Sequence, residues 1–154
     1  DDPVGVELAG AVKNVLAIAC GIVVGRGLGE NARAALVTRG LAEVTRLALA
    51  KGGRSETLMG LAGIGDLILT CTSLKSRNTS LGFELGQGKP LAEILSSRCS
   101  IAEGVSTAEA VVALAAQLGI EMPICAAVNR ILTDQSVIDD EVRGLLARPL
   151  KREI

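Results

Sequence analysis

Residues 8–24, LAGAVKNVLAIACGIVV, form an almost unbroken apolar run interrupted by Lys13 and Asn14. The run is too long for an ordinary strand, and Val6, Gly10, Lys13 and Ala17 recur at helical spacing. We read a helix from near Gly5, just after Pro3, to about Val24. A membrane span is the competing reading. The apolar length is marginal, and a central lysine costs ~2.5–3.5 kcal/mol on insertion scales. A buried helix of a soluble protein fits better. A lone ammonium in such a helix is costly unless it is paired or has a task. The chain contains no histidine, so a lysine is the leading candidate for moving protons near neutral pH. Lysines also snorkel to solvent from helix ends, and composition alone does not choose between the two readings.

Outward from that helix the chain reads as all-α. Gly25-Arg26-Gly27-Leu28-Gly29 breaks the first helix. Residues 30–51 carry Ala34, Leu41, Val44 and Ala48 at a helical period, with Arg33, Arg39, Glu43 and Arg46 as the polar complement, and Gly52-Gly53 stops it. A short helix follows Ser55 as N-cap. In residues 58–72, LMGLAGIGDLILTCT, three glycines loosen the backbone before Asp66, which reads as the cap of the next helix. A helix to about Leu85 follows Ser76-Arg77-Asn78 and ends at Gly86-Gln87-Gly88. Pro90 opens a short one. Residues 101–104 read as a linker, with Ser106 or Thr107 capping a helix to Leu118. Pro123 opens another to about Leu132, and Ser136 a last one to about Leu146. The short connections suit one compact helical domain over residues 1–154.

Composition narrows the function. The 154 residues carry a net charge of −1, one Phe, no Trp and no Tyr. There is no basic field for nucleic acid, no stacking platform and no aromatic membrane anchor. Cys20, Cys71, Cys99 and Cys125 form no C-x-x-C pair, and without histidine no zinc site can be completed. Reduced cysteines near the core of a cytosolic protein are expected, and no metal site. Gly25-x-Gly27-x-Gly29 follows a helix rather than a strand, and residue 30 is Glu, so it is no dinucleotide fingerprint. The chain does not begin with Met, and its start resembles no signal peptide. We expect a piece of a longer chain.

Asp66 alone is usually a cap, Arg77 alone a surface charge, and Glu103 in isolation says nothing. Together Lys13, Asp66, Thr70, Arg77 and Asn78 supply cations, a carboxylate and neutral donors. That set suits a small anionic substrate bearing hydroxyl or carbonyl oxygen, with Arg77 as the phosphate fork.

Nine ordered blocks carry a resemblance. They are Gly10-Ala11-Val12-Lys13-Asn14-Val15, Asn31-Ala32-Arg33-Ala34-Ala35-Leu36, Thr38-Arg39-Gly40, Gly63-Ile64-Gly65-Asp66-Leu67, Thr70-Cys71-Thr72, Ser76-Arg77-Asn78, Gly86-Gln87-Gly88, Glu103-Gly104 and Glu121-Met122-Pro123-Ile124. Together they resemble the bacterial NAD(P)-dependent sn-glycerol-3-phosphate dehydrogenases, from the first helix to about Ala147. The resemblance implies an enzyme that interconverts dihydroxyacetone phosphate and sn-glycerol 3-phosphate for glycerophospholipid synthesis in the cytoplasm. It implies a helical C-terminal domain similar to that of 6-phosphogluconate dehydrogenase. NAD(P)H would be bound mainly by an N-terminal Rossmann domain absent from this chain. The family's acid–base lysine matches Lys13. Its substrate contacts match Lys13, Asp66, Thr70, Ser76, Arg77 and Asn78, and its cofactor contacts match Arg77, Ile101 and Glu103. Alone, the chain should have little or no activity, and a homodimer is expected. The alternatives are a related hydroxyacid or 6-phosphogluconate-type dehydrogenase domain and a non-catalytic helical dimerisation module. A surface on which Lys13, Asp66, Thr70, Arg77 and Asn78 converge separates an enzyme from the module.

Overall fold

The computed structural model describes residues 1–98, 100, 102–134 and 136–148. All regular structure among them is helical: α1 (Pro3–Gly25), α2 (Glu30–Ala50), α3 (Ser55–Leu58), a π-helical turn (Leu61–Gly65), α4 (Asp66–Thr72), α5 (Arg77–Gly86), α6 (Leu91–Ser96), α7 (Glu103–Gln117), α8 (Pro123–Thr133) and α9 (Ile138–Leu146). The all-α expectation holds.

The apolar run is the axis of the fold. Asp2 caps α1 by accepting from the Gly5 N–H at 2.9 Å, with Pro3 in the first turn where its missing N–H costs nothing. Val12, Val15, Leu16, Ala17 and Ile18 are sealed from solvent, and α2, α4, α5, α7 and α8 pack around them. This helix is long and apolar enough to cross a membrane, but two thirds of its most apolar window, 67%, is buried inside the fold. Gly27 and Gly29 adopt positive φ, as the helix-breaking reading of that loop requires.

Close approach of α1 and α5 comes from two glycine pairs. A Cβ on Gly21 would sit 2.1 Å from the Thr79 carbonyl, and one on Gly82 would sit 2.0 Å from that of Ile18. Gly25 meets Phe83 in the same way, and Gly86 meets Ile22. Each helix thus presents glycines four residues apart to its neighbour's backbone. Residue numbers rise together along both contact faces, so the helices run parallel. The start of α5 therefore lies beside the middle of α1.

Several local expectations are corrected. Glu43 does not face solvent with the arginines of α2. It is 2% exposed, and its carboxylate accepts from the N–H groups of Ile124 (2.8 Å) and Cys125 (3.3 Å) at the start of α8. Burial pushes its carboxyl above the usual range against those two hydrogen bonds. Glu103 and Gly104 are not linker. They open α7, and the hydroxyls of Ser106 and Thr107 donate back to the Glu103 carbonyl instead of capping a later start. Ser55 lies inside α3, whose N-cap is Arg54, and Val137 rather than Ser136 precedes α9. Asp66 caps nothing with its side chain, because the π-helical turn runs straight into α4.

Cys20, Cys71 and Cys125 are buried free thiols, and Cys99 lies outside the described residues. The Cys20 thiol and burial push Cys71 up, while burial followed by Glu43 pushes Cys125 up. Such thiols are inert structural groups.

Candidate active site

Lys13 is partly buried on α1, and its ammonium pairs with Asp66 Oδ2. The π-helical turn sets that partner. A Cβ at Gly63 would lie 2.1 Å from the Leu58 carbonyl, so only glycine lets the turn pack onto α3 and deliver Asp66. Thr70, one helical turn on, donates to the other Asp66 oxygen at 3.4 Å. The Thr70 carbonyl accepts from the Thr79 hydroxyl at 2.7 Å, which ties α4 to α5.

The second group sits at the start of α5. Ser76 is its N-cap, accepting from the Thr79 N–H at 3.3 Å. Arg77 is half exposed; its Nη1 donates to Ser100 Oγ at 3.1 Å, and its Nη2 lies 3.7 Å from Glu103 Oε1. Asn78 is buried, and its amide oxygen accepts from the Gly104 N–H at 2.9 Å. From α1, Asn14 Nδ2 donates to Glu103 Oε2 at 3.2 Å. The two groups are thereby joined through adjacent residues of one helix. Lys13 leads to Asp66 and Thr70, while Asn14 leads to Glu103 and Arg77. From these two neighbours on α1, one set of contacts runs to α4 and the other to α7 and the start of α5.

Two residues to which the sequence assigned no role support this arrangement. Arg98 donates to the Arg77 carbonyl at 3.0 Å, to Ser80 Oγ at 3.1 Å and to Glu84 Oε1 at 2.6 Å. Arg98, with Lys89 behind it, holds the Glu84 carboxyl below its usual range. Asn14 was visible only as a polar neighbour of Lys13. No local pattern signals either role, because both depend on contacts between helices remote in sequence. Ile101, expected on the cofactor side, lies outside the described residues.

Behind the lysine stem is a small apolar cavity of about 10 Å³, lined by residues including Ala9, Leu16 and Leu67. That is room for one water at most. A larger cavity of about 210 Å³ lies between α8 and α9, beside Arg130 and Glu141, and holds none of the site residues.

Comparison with known proteins decides the family. Residues 2–143 match the family described as NAD-dependent glycerol-3-phosphate dehydrogenase C-terminus.

The chain belongs to this family.

The resemblance read from the nine motif blocks is borne out. The glycerol-3-phosphate dehydrogenase [NAD(P)+] of Rhodospirillum rubrum is 64% identical over 152 residues, which is 99% of this chain and 44% of that protein. The enzyme of the same description from Parvibaculum lavamentivorans is 63% identical, over 99% of this chain and 46% of its own length. Among solved structures, the glycerol-3-phosphate dehydrogenase of Coxiella burnetii superposes with a TM-score of 0.93 at 50% identity. It covers 96% of this chain and 46% of its own. That of Saccharomyces cerevisiae gives 0.86 at 29% identity, over 96% and 43%. The chain spans less than half the length of these relatives.

Proposed function

We propose that this chain is the substrate-binding and catalytic part of a cytoplasmic, homodimeric glycerol-3-phosphate dehydrogenase. That enzyme interconverts dihydroxyacetone phosphate and sn-glycerol 3-phosphate with NAD(P)H, in support of glycerophospholipid synthesis. The observation that carries the reading is the contact pattern around α1: an ammonium paired with a carboxylate, and a guanidinium reached through the next residue of the same helix. A dimerisation module has no use for a paired ammonium on its central apolar helix.

Arg77 and Glu103, both more than half exposed in their side chains, fit a nicotinamide cofactor, Glu103 offering a carboxylate for its hydroxyls and Arg77 the guanidinium donors that the substrate's phosphate leaves free. When bound, that cofactor supplies the two-electron reduction of the substrate's central carbonyl carbon. Lys13 polarises the carbonyl oxygen and gives it a proton as it becomes an alkoxide; in the reverse direction neutral Lys13 takes that proton. Asp66, steadied by Thr70, fixes the ammonium. Arg77 grips the phosphate with fork-like donors, and Asn78 assists through its amide nitrogen. Most of the cofactor surface would belong to a Rossmann domain outside this chain, so the chain alone should have little or no activity.

The test is an assay of the full-length enzyme with dihydroxyacetone phosphate and each nicotinamide cofactor, for the parent and for Arg77→Ala. The reading expects turnover by the parent and a KM for the phosphorylated substrate raised at least tenfold by the variant. An unchanged KM would remove Arg77 from the phosphate.

A further inference from the structure

We propose that Asn14 is a positioning residue, whose amide holds the Glu103 carboxylate in place on the cofactor side of the site. The inference rests on the function proposed above. A carboxylate only accepts hydrogen bonds, so the amide nitrogen of Asn14 must be the group that faces it. That contact is 3.2 Å to Oε2, leaving Oε1 toward Arg77 at 3.7 Å.

The two partners differ in what they can hold. Arg77 and Glu103 are both more than half exposed in their side chains, and an exposed pair of long side chains fixes geometry weakly. Asn14 is 8% exposed, on a helix whose neighbouring residues Val12, Val15 and Leu16 are sealed in the core. Its amide is ordered before any ligand arrives. The backbone supports the same placement. Gly104, next to Glu103, donates to Asn78 Oδ1, and a Cβ there would lie 2.7 Å from the Asn14 carbonyl and 2.8 Å from Asn78 Oδ1. The first turn of α7 is therefore seated against α1 and α5 at two consecutive residues. Lys13 and Asn14 divide the work between them, one facing the reacting oxygen and the other fixing the carboxylate.

The test uses Asn14→Asp, which keeps size and shape but sets a second carboxylate against Glu103, measured in the full-length enzyme. The expected result is an affinity for reduced nicotinamide cofactor weakened about tenfold, the scale of a lost hydrogen bond to a charged group. It is read as cofactor KM and by fluorescence titration, with a smaller change in kcat. In the Glu103→Gln background the same change should cost little, because the introduced amide donates to the introduced carboxylate and the bond is remade with its roles exchanged. Equal, additive effects in both backgrounds would overturn the positioning role, as would no effect in the parent. If the parent fails to reduce dihydroxyacetone phosphate, the proposed function falls with it. If the parent turns over and the two changes are additive, the positioning role alone fails.

Discussion

A carboxylate among aliphatic side chains is costly unless donors meet it, and Glu43 meets two backbone N–H groups at the head of α8. Its carboxyl is raised by burial, so the folded chain takes up the proton at a higher pH than the unfolded chain does. The stability this contributes is full below the ordinary glutamate value and is lost as pH rises through the raised one. Thermal melts should therefore show Tm falling across that window, and Glu43→Gln should flatten the fall; parallel curves would contradict the assignment. Glu43→Ala leaves both N–H groups unmet and should cost about 1–3 kcal/mol in urea unfolding. Lys13 was legible in the sequence because a lone ammonium in an apolar run demands an explanation. Glu43 was not: its helix has several charged neighbours, and only the approach of α8 turns this one inward. Asn14 was hidden for the same reason, since its partner lies 89 residues away.

Helices were legible wherever periodicity and glycine breaks agreed, as in α1, α2, α5 and α8. They were misread where tertiary contacts set the end. The first turn of α7 is held by Asn14 and Asn78 from other helices, so Ser106 and Thr107 offered a false start. The π-helical turn before Asp66 likewise depends on Gly63 packing onto α3. The pattern that could have been read is the pair of glycines four apart in both α1 and α5. Gly82→Ala places a methyl group against the Ile18 carbonyl, and neither backbone can retreat without opening the core. Overpacking of this kind costs about 1–3 kcal/mol, and a urea midpoint equal to the parent's would show that the helices are not in backbone contact. Because α5 carries Arg77 at its head, the same variant should also raise the KM for phosphorylated substrate.

At the scale of the molecule, Lys13, Asp66, Arg77 and Glu103 all keep part of their side chains open to solvent. The cavity beside Lys13 holds no substrate, and the chain covers less than half the length of its relatives. Exposed apolar side chains recur between residues 59 and 74, at Met59, Leu61, Ile68, Leu69 and Leu74, on either side of Asp66. The central claim is that the ammonium on α1 exchanges the substrate's proton. It is tested most directly by kcat of the full-length enzyme with Lys13→Met, which keeps an apolar stem and removes the proton. A fall of about 10²–10⁴-fold, the usual scale of general acid–base catalysis, is the predicted result in protein that melts like the parent. A kcat within threefold of the parent's would contradict it.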